Sequence, residues 1–592
     1  MSHPPQTLRA FLLCRRSLSP DDRRLTRLLD FFGVSWTALD LDQACDEAVR
    51  GAQYCLLSSA PVMAEVLQHG EAPPGCPAWL RGANSVYLYG FQDTPACNRL
   101  LRTLCGDPEA SLGKFEAPWS LSVTCDSPEM CGPLSGLRFP VAGVESEPVF
   151  HIRASGEEFR SIITAGHAIQ FFSARCAGVP FYVSASSNII DITERSATYF
   201  DVKKYACSAV PAAMYIRWAF RAACWTAAET SACLIIDDPP LTTRYGHLDF
   251  REALALMKKH GFATTIAFIP WNWRRTDRTA VELFRQNADR LSLCIHGCDH
   301  TGAEFASRST ALLSRRSKTA NHRMKLLRER DGLHYDPAMV FPQGAFSPEV
   351  GRALKLNGFV AAVNTEVAPL DSAANETTIA DLWSVANTRY GGFPIFSRRY
   401  PSHGVENFAF DGLLGKPCLV VGHHEAFRDH GRQLVGFIAT LNALNWDLRW
   451  RTLGAALRHS YRVRRGCDET NSIQMFAEEL VVENRSPGPW RAIVFKDEQE
   501  PECVRSIQVG DREVAVSAAA GQLQIDVTLA PGDSKTVRVL YSDDLELGPS
   551  YDGVAYEIKV AIRRYLSEFR DNYVSRSDFL ASSAASLRRL LK

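Results

Sequence analysis

The chain has 592 residues, 46% of them apolar, with 66 basic and 66 acidic side chains and a formal net charge of zero. That length predicts roughly three or four domains, and the balanced charge excludes a general binder of nucleic acid, whose affinity rests on a basic surplus. The 17 cysteines are scattered with no Cys-x-x-Cys pair, which argues for a reducing compartment rather than a disulfide framework.

The first residues carry only a short apolar run ended by Arg15 and Arg16, unlike a secretory leader. No uncharged apolar run reaches the roughly 18 residues a membrane helix needs. The most apolar helical stretch, 209–225, contains Arg217 and Arg221. These features predict a cytoplasmic protein without membrane insertion. They leave its oligomeric state open.

Residues 1–205 read as an α/β domain of flavodoxin- or amidotransferase-like character. LRAFLLC is a buried-strand pattern. Ser19-Pro20-Asp21-Asp22 is a helix start, with a capping hydroxyl, a proline in the first turn and acids favoured by the helix dipole. Leu25, Leu28, Leu29 and Phe32 recur at helical spacing, and Gly33 ends the helix. SWTALDL, YCLLSS and SVYLYG read as further strands. Neither glycine-rich nucleotide fingerprint occurs. Residues 115–205 are richer in strands, as in PVFHIRAS and VPFYVSAS, and either complete this domain or form an insertion.

A connecting helix over 206–230 leads into a strand-then-helix rhythm that runs to about residue 465. Its continuously apolar strands are Ala232–Ile236, Thr265–Ile269, Leu291–Ile295, Ala338–Phe341, Phe359–Val363 and Cys418–Val421. Runs without alternation fit strands covered on both faces. Six such strands, with room for a seventh, predict a parallel (β/α) barrel. Residues 466–548 change character. QLQIDVTLA alternates cleanly and turn chemistry flanks it, which predicts an antiparallel β-sandwich. The segment 549–592 reads as a C-terminal helix. Its stripe of Val554, Ile558, Ile562, Tyr565 and Phe569 is expected to pack on the body of the protein rather than to serve a cofactor or a membrane.

In a parallel barrel the chemistry gathers where the strands end. The first barrel strand ends in Asp237-Asp238, the third in His296-Gly297-Cys298-Asp299-His300, and the strand at 418–421 in Gly422-His423-His424-Glu425. Two imidazoles four residues apart, with one carboxylate, make a face for a divalent cation. The second aspartate is then free to act as a base, and a histidine across the site can protonate a leaving amine. Trp271 and Trp273, in IPWNWRR, are candidates to stack on a sugar ring, with Arg274 beside them. Asp299 is a candidate acceptor for a ligand histidine. No Gly-x-Ser-x-Gly elbow supports a serine nucleophile.

The order Asp-Asp, His-x-x-x-His and a late strand-end histidine, across residues 231 to about 430, resembles the polysaccharide deacetylase family, also called the NodB-homology or carbohydrate esterase 4 group. IIDDPPLTTRYGHLDF and TTIAFIPWNW look like a divergent branch of it. The resemblance implies an irregular (β/α)7 barrel and a metal-dependent deacetylase of N-acetylated sugars, with zinc the expected ion and cobalt, nickel or manganese as substitutes. It implies Asp237 as the base and Asp238, His296 and His300 as the metal ligands. Either His423 or His424 is the acid, with His424 favoured because an acidic residue follows it. Pro342 and Gly344 of MVFPQGAFS match a motif at the substrate-binding mouth. Two departures stand out. Gly297 replaces the usual Ser or Thr. Val340 or Phe341 stands where the family has the arginine that orients the base, so either another cation such as Arg244 or Arg274 substitutes or the base is tuned differently. The expected partner is a carbohydrate or an acetylated small molecule. Other readings of the same barrel are a different C–N hydrolase, a glycosidase, or a non-catalytic carbohydrate-binding protein.

Overall fold

The computed structural model describes residues 8–42, 45–68, 77–117, 119–143, 145–153, 158–466, 470–542 and 553–575. In the N-terminal region the expected helix spans Pro20–Phe32. The Ser19 hydroxyl accepts from the Asp22 amide, Asp22 accepts from the Ser19 amide, and Gly33 ends the helix at φ 76°. Strands Arg9–Cys14, Trp36–Asp40, Tyr54–Ser59 and Val86–Tyr89 pair in parallel. The strands after residue 115 extend the same sheet. Val179–Ser184 pairs in parallel with Val86–Tyr89, and Ala168–Cys176 and Arg160–Ala165 follow in antiparallel sense. Helix Val202–Phe220 then leads to the barrel, starting four residues before the expected 206 because Asp201 caps it by accepting from the Lys203 amide.

The barrel strands are β1 (Thr230–Asp237), β2 (Thr264–Phe268), β3 (Leu291–His296), β4 (Ala338–Val340), β5 (Ala361–Asn364), β6 (Ile395–Ser397) and β7 (Cys418–Gly422). They run parallel in the order β6-β5-β4-β3-β2-β1-β7. Arg399, just past β6, closes the ring. Its amide donates to the Leu419 carbonyl and its carbonyl accepts from the Val421 amide, each at 2.9 Å. β6 is the strand that the apolar runs did not reveal, because only Ile395 and Phe396 are apolar in it.

Cys233, Ile235, Ala267, Cys294, Val340, Val363, Phe396 and Leu419 fill one core cluster with Leu453, Ala456 and Leu457 of helix Leu453–Arg458. That helix plugs the lower end of the barrel, where the Leu453 amide donates to Thr265 near the start of β2. The upper end, where the strands finish, is left for the site.

The β-sandwich joins a six-stranded and a four-stranded sheet. Gln522–Leu529 alternates as expected, with Leu523, Ile525, Val527 and Leu529 buried. It is not wholly antiparallel: Asn471–Gln474 pairs in parallel with Trp490–Asp497. It also recruits Thr226–Ala227, from before the barrel, and Arg462–Arg465.

The C-terminal helix, Val554–Phe569, departs most from expectation. Its apolar stripe faces solvent: Val554 is 78% exposed, Ile558 and Ile562 55%, Tyr565 56% and Phe569 58%. The surface beneath it is the polar rim of the barrel mouth. The helix therefore turns inward the face that carries Tyr556, Glu557, Arg564 and Glu568, and Val560 is its only buried apolar residue.

Barrel and sandwich are tied by a buried charge network. Lys355 and Glu498 meet at 2.8 Å with neither side chain exposed, and the Tyr541 hydroxyl lies 2.7 Å from a carboxylate oxygen of both Glu498 and Glu478. Removing one partner of such a pair strands the other without water. Lys355→Met is therefore expected to destabilise the fold by about 3–5 kcal/mol, read as a lower urea midpoint, and Glu498→Leu added to it to recover much of the loss.

At the foot of β1, burial works to raise the Glu229 carboxyl, but hydrogen bonds from Arg451, Ser231 and Arg485 bring it down to about 2. Stability from this group is present above its ordinary value of 4.5 and is lost as pH falls towards about 2. Glu229→Gln should flatten a stability–pH curve over that interval.

Candidate metal centre

β1 delivers two carboxylates with opposite aims. Side chains alternate along a strand, and the chain turns sharply at Asp238, whose φ is 82°. Non-glycine residues in that region are strained and persist where their surroundings hold them. Asp237 is buried and takes a bidentate grip from Arg398, at 2.7 and 2.6 Å. Asp238 points the other way. Its Oδ1 lies 3.4 Å from His296 Nε2 and 3.3 Å from His300 Nε2. Among the described residues this is the set of three such groups that converges, with the donor atoms all within 4.8 Å of one another.

The histidines are held by a tight loop rather than a helix. His296 ends β3, and its Nδ1 lies 3.0 Å from the Val340 carbonyl. A carbonyl only accepts, so Nδ1 carries the proton and Nε2 keeps its lone pair towards Asp238. Glu304 then pins the turn: its carboxylate accepts from the amides of Cys298 (2.7 Å), Asp299 (3.2 Å) and His300 (3.1 Å). Gly297 has φ 63°, and a Cβ there would strike the Glu304 carboxylate and the Pro342 ring. Glycine in place of the usual Ser or Thr is therefore what this loop requires.

The buried Asp238 Oδ1 has no hydrogen bond of acceptable geometry. Burial works to raise the Asp238 carboxyl. The close approach of His296, then of His300 and His423, outweighs this and holds it well below the usual carboxylate range. For Asp237 burial is likewise outweighed, first by the Arg398 charge. His300 is pushed down to about 3 by burial and by His296. An orphaned anionic oxygen facing two imidazole nitrogens suits a first-row divalent cation.

Arg398 stands beside Asp237, the residue expected to act as the base, and it follows directly after β6. Arg244 and Arg274 do not substitute for it. Arg244 is exposed and pairs with Asp249 at 3.4 Å, and Arg274 lies over the Trp273 ring at 4.5 Å. The signal in the sequence was FPIFSRRY, a short apolar run ended by two arginines. Arg399 serves the fold instead, bridging to Asp411 at 2.6 Å.

The two late histidines separate. His423 is half-buried, parallel to Tyr400 at 6.3 Å between rings, and its charge acts on both Asp237 and Asp238. His424 is buried among Tyr245, His247 and Asp571, with its Nε2 3.8 Å from Asp571. Gly344 lies near Asn364, which donates to its carbonyl at 2.7 Å, and Pro342 packs on the loop at Gly297. Asp299 orients neither histidine. It pairs with Arg323 and accepts from Tyr556 at 3.2 Å.

The C-terminal helix lies over this mouth. Arg564, 6% exposed, brings a guanidinium nitrogen to 3.3 Å from His300 Nδ1. Glu557 accepts from Trp271 Nε1 at 3.2 Å, Glu568 pairs with Arg275 at 2.6 Å, and Asp571 accepts from the Tyr245 hydroxyl. Asn572 accepts from the Gly246 amide at 2.7 Å. Trp271 is thus engaged by the helix, and Trp273 packs against the core beneath Arg274 and Arg330. Partly exposed ion pairs contribute about 0–1 kcal/mol each, so the cover is held by many weak polar contacts. The sequence carried little signal for this contact, since 264 to 326 residues separate these partners.

No protein-family model matches the chain, and no curated protein does. The chain is similar to carbohydrate deacetylases of known structure. The crystal structure of Agd3, a novel carbohydrate deacetylase, is 10% identical over 90% of this chain and 98% of its own, with a TM-score of 0.44. The family 4 carbohydrate esterase from Streptomyces lividans, in complex with acetate, is 14% identical over 37% of this chain and 90% of its own, at 0.22. The 4-alpha-glucanotransferase from Thermococcus litoralis is 13% identical over 39% of this chain and 40% of its own, at 0.30. At these values the likeness decides neither activity nor substrate, and the chemistry rests on the converging side chains.

Gly297→Ala is expected to lower stability by about 1–3 kcal/mol through strain at positive φ, measured by calorimetry. The same change at the exposed, uncrowded Gly436, inside helix Arg428–Asn442, should instead raise stability by about 0.5–1 kcal/mol.

Proposed function

We propose that the chain is a divalent-metal-dependent hydrolase that removes the acetyl group from an N-acetylated saccharide. The observation that carries this reading is the convergence of Asp238, His296 and His300 beside a second carboxylate already neutralised by Arg398. A cation held by the trio supplies a Lewis acid that polarises an acyl carbonyl and activates water.

The chain's own residues do the rest. Asp237, held ionised by Arg398, accepts the proton of the attacking water. The bidentate contact fixes both carboxylate oxygens, so Arg398 is a positioning residue. His423 donates a proton to the departing nitrogen as the C–N bond breaks and the C–O bond of acetate is completed. Its half-buried ring lies beside Tyr400, whereas the His424 ring is enclosed by Tyr245 and Asp571, and this favours His423 as the acid. A glycosidase would need two carboxylates free to act across a cleft, whereas here one is paired with arginine and the other with two histidines. The barrel mouth, with Trp271, Trp273, Arg274, Pro342 and Gly344 around it, is the proposed saccharide-binding surface.

Metal analysis of the purified protein is expected to give one zinc or a similar ion per chain, lost in Asp238→Asn and in His296→Ala. Acetate release from a panel of N-acetylated glycans should disappear with it. Chains that bind no metal, or that release no acetate when loaded, would sink the proposal. Asp237→Asn is expected to keep the metal but lose about 10²–10⁴-fold in kcat. Arg398→Ala should behave similarly with metal retained, and Arg398→Lys should recover part of the rate. His423→Ala should cost more than His424→Ala on a substrate with a poor leaving group, and less on an activated ester.

A further inference from the structure

We propose that the C-terminal helix is a displaceable cover on the metal centre, and that an anionic lipid surface draws it off by docking on its outward face. The opening half of this proposal rests on reading Asp238, His296 and His300 as a metal centre. The docking half does not.

The helix is packed inside out. Val554, Ile558, Ile562, Leu566, Phe569 and Tyr573 form one continuous outward stripe, and each is more than half exposed. Few other large apolar side chains of the described residues are exposed at all. An unburied stripe of this length on an amphipathic helix is the pattern that enters a lipid interface.

Charge chooses the partner. The carboxylates of this helix segment all point inward, Glu557 to Trp271 and Arg323, Glu568 to Arg275, and Asp571 to Tyr245 and His424. Lys559 and Arg563 instead line the outward groove together with Ile558, Ile562 and Leu566, and Arg570 borders it while pairing with Asp571. The outer face therefore presents apolar surface flanked by cations, which complements an anionic bilayer surface. A second copy would bring the same cations against their equals. The sequence that follows, 576–592, has four cations and one carboxylate, a surplus that suits an anionic surface.

Docking bears on the site through Arg564. A guanidinium can only donate, so its contact makes His300 Nδ1 an acceptor. A neutral imidazole that accepts at Nδ1 carries its proton on Nε2, the atom that faces Asp238. While Arg564 is in place, a cation at this nitrogen has to displace that proton and meet the positive charge of the guanidinium nearby. Cover and cation compete for His300, so whatever removes the one strengthens binding of the other.

The test uses the full chain, with vesicles of phosphatidylglycerol and phosphatidylcholine or of phosphatidylcholine alone, and zinc affinity read by competition with a chelating dye. The protein is expected to float with the anionic vesicles only, less at high salt, and not after Ile562→Glu with Phe569→Glu. Zinc affinity should rise on the order of tenfold when those vesicles are added. Arg564→Gln should raise it without vesicles and abolish the further rise. Absence of flotation, flotation that the doubly charged variant retains, or an unchanged zinc affinity on bound vesicles would each overturn the proposal. So would a dimer in sedimentation that the same double variant dissolves, which would make this face a contact between copies. A chain that floats as expected yet takes up no zinc even as Arg564→Gln overturns the opening half and the metal reading together, while Asp238→Asn serves as the zinc-free control.

Discussion

Two ionised carboxylates on adjacent residues at the end of a buried strand must be compensated separately, and the architecture of the barrel mouth follows from that constraint. Asp237 receives Arg398, at 2.6 and 2.7 Å, from a strand 161 residues further on. Asp238 receives two imidazoles from the end of β3. Alternation along β1 and the positive φ at Asp238 keep the two partnerships on different sides. Without Arg398, the Asp237 carboxylate would sit buried with no cation against it. Without the histidines, the same would hold for Asp238.

This division of labour underlies the proposed chemistry. A carboxylate paired with arginine stays ionised and geometrically fixed, which is what a base requires. A carboxylate whose buried oxygen has no well-formed hydrogen bond is suited to a cation. The loop at 296–300 needs no helix to present two histidines on one side. The Glu304 carboxylate gathers three successive amides and Gly297 supplies the turn. The cost is a buried acid whose carboxyl burial pushes upward, offset in part by those same amides.

The C-terminal helix adds a layer that local pattern does not reveal. Its polar face meets a polar rim and its apolar stripe is left outside, the reverse of the usual packing of a surface helix. Periodicity identifies a stripe but does not say what will cover it. Here the rim offers Arg275, Arg323, Tyr245 and His300 as partners, and matching charged and polar groups decides which face turns in.

The sequence by itself determined the elements whose causes are local. The capped helix after Ser19, the apolar barrel strands, the alternating strand at 522–529, and the strand-end clusters at 237–238, 296–300 and 423–424 were all legible, because apolar period, capping chemistry and strand ends are written in neighbouring residues. Only the tertiary structure decided which arginine reaches Asp237, that a short seventh strand closes the ring, how the histidine loop is pinned, and that the terminal helix lies polar side down over the mouth. Each of these joins residues far apart in the chain, and such contacts depend on how the barrel closes in space, which no window of sequence contains.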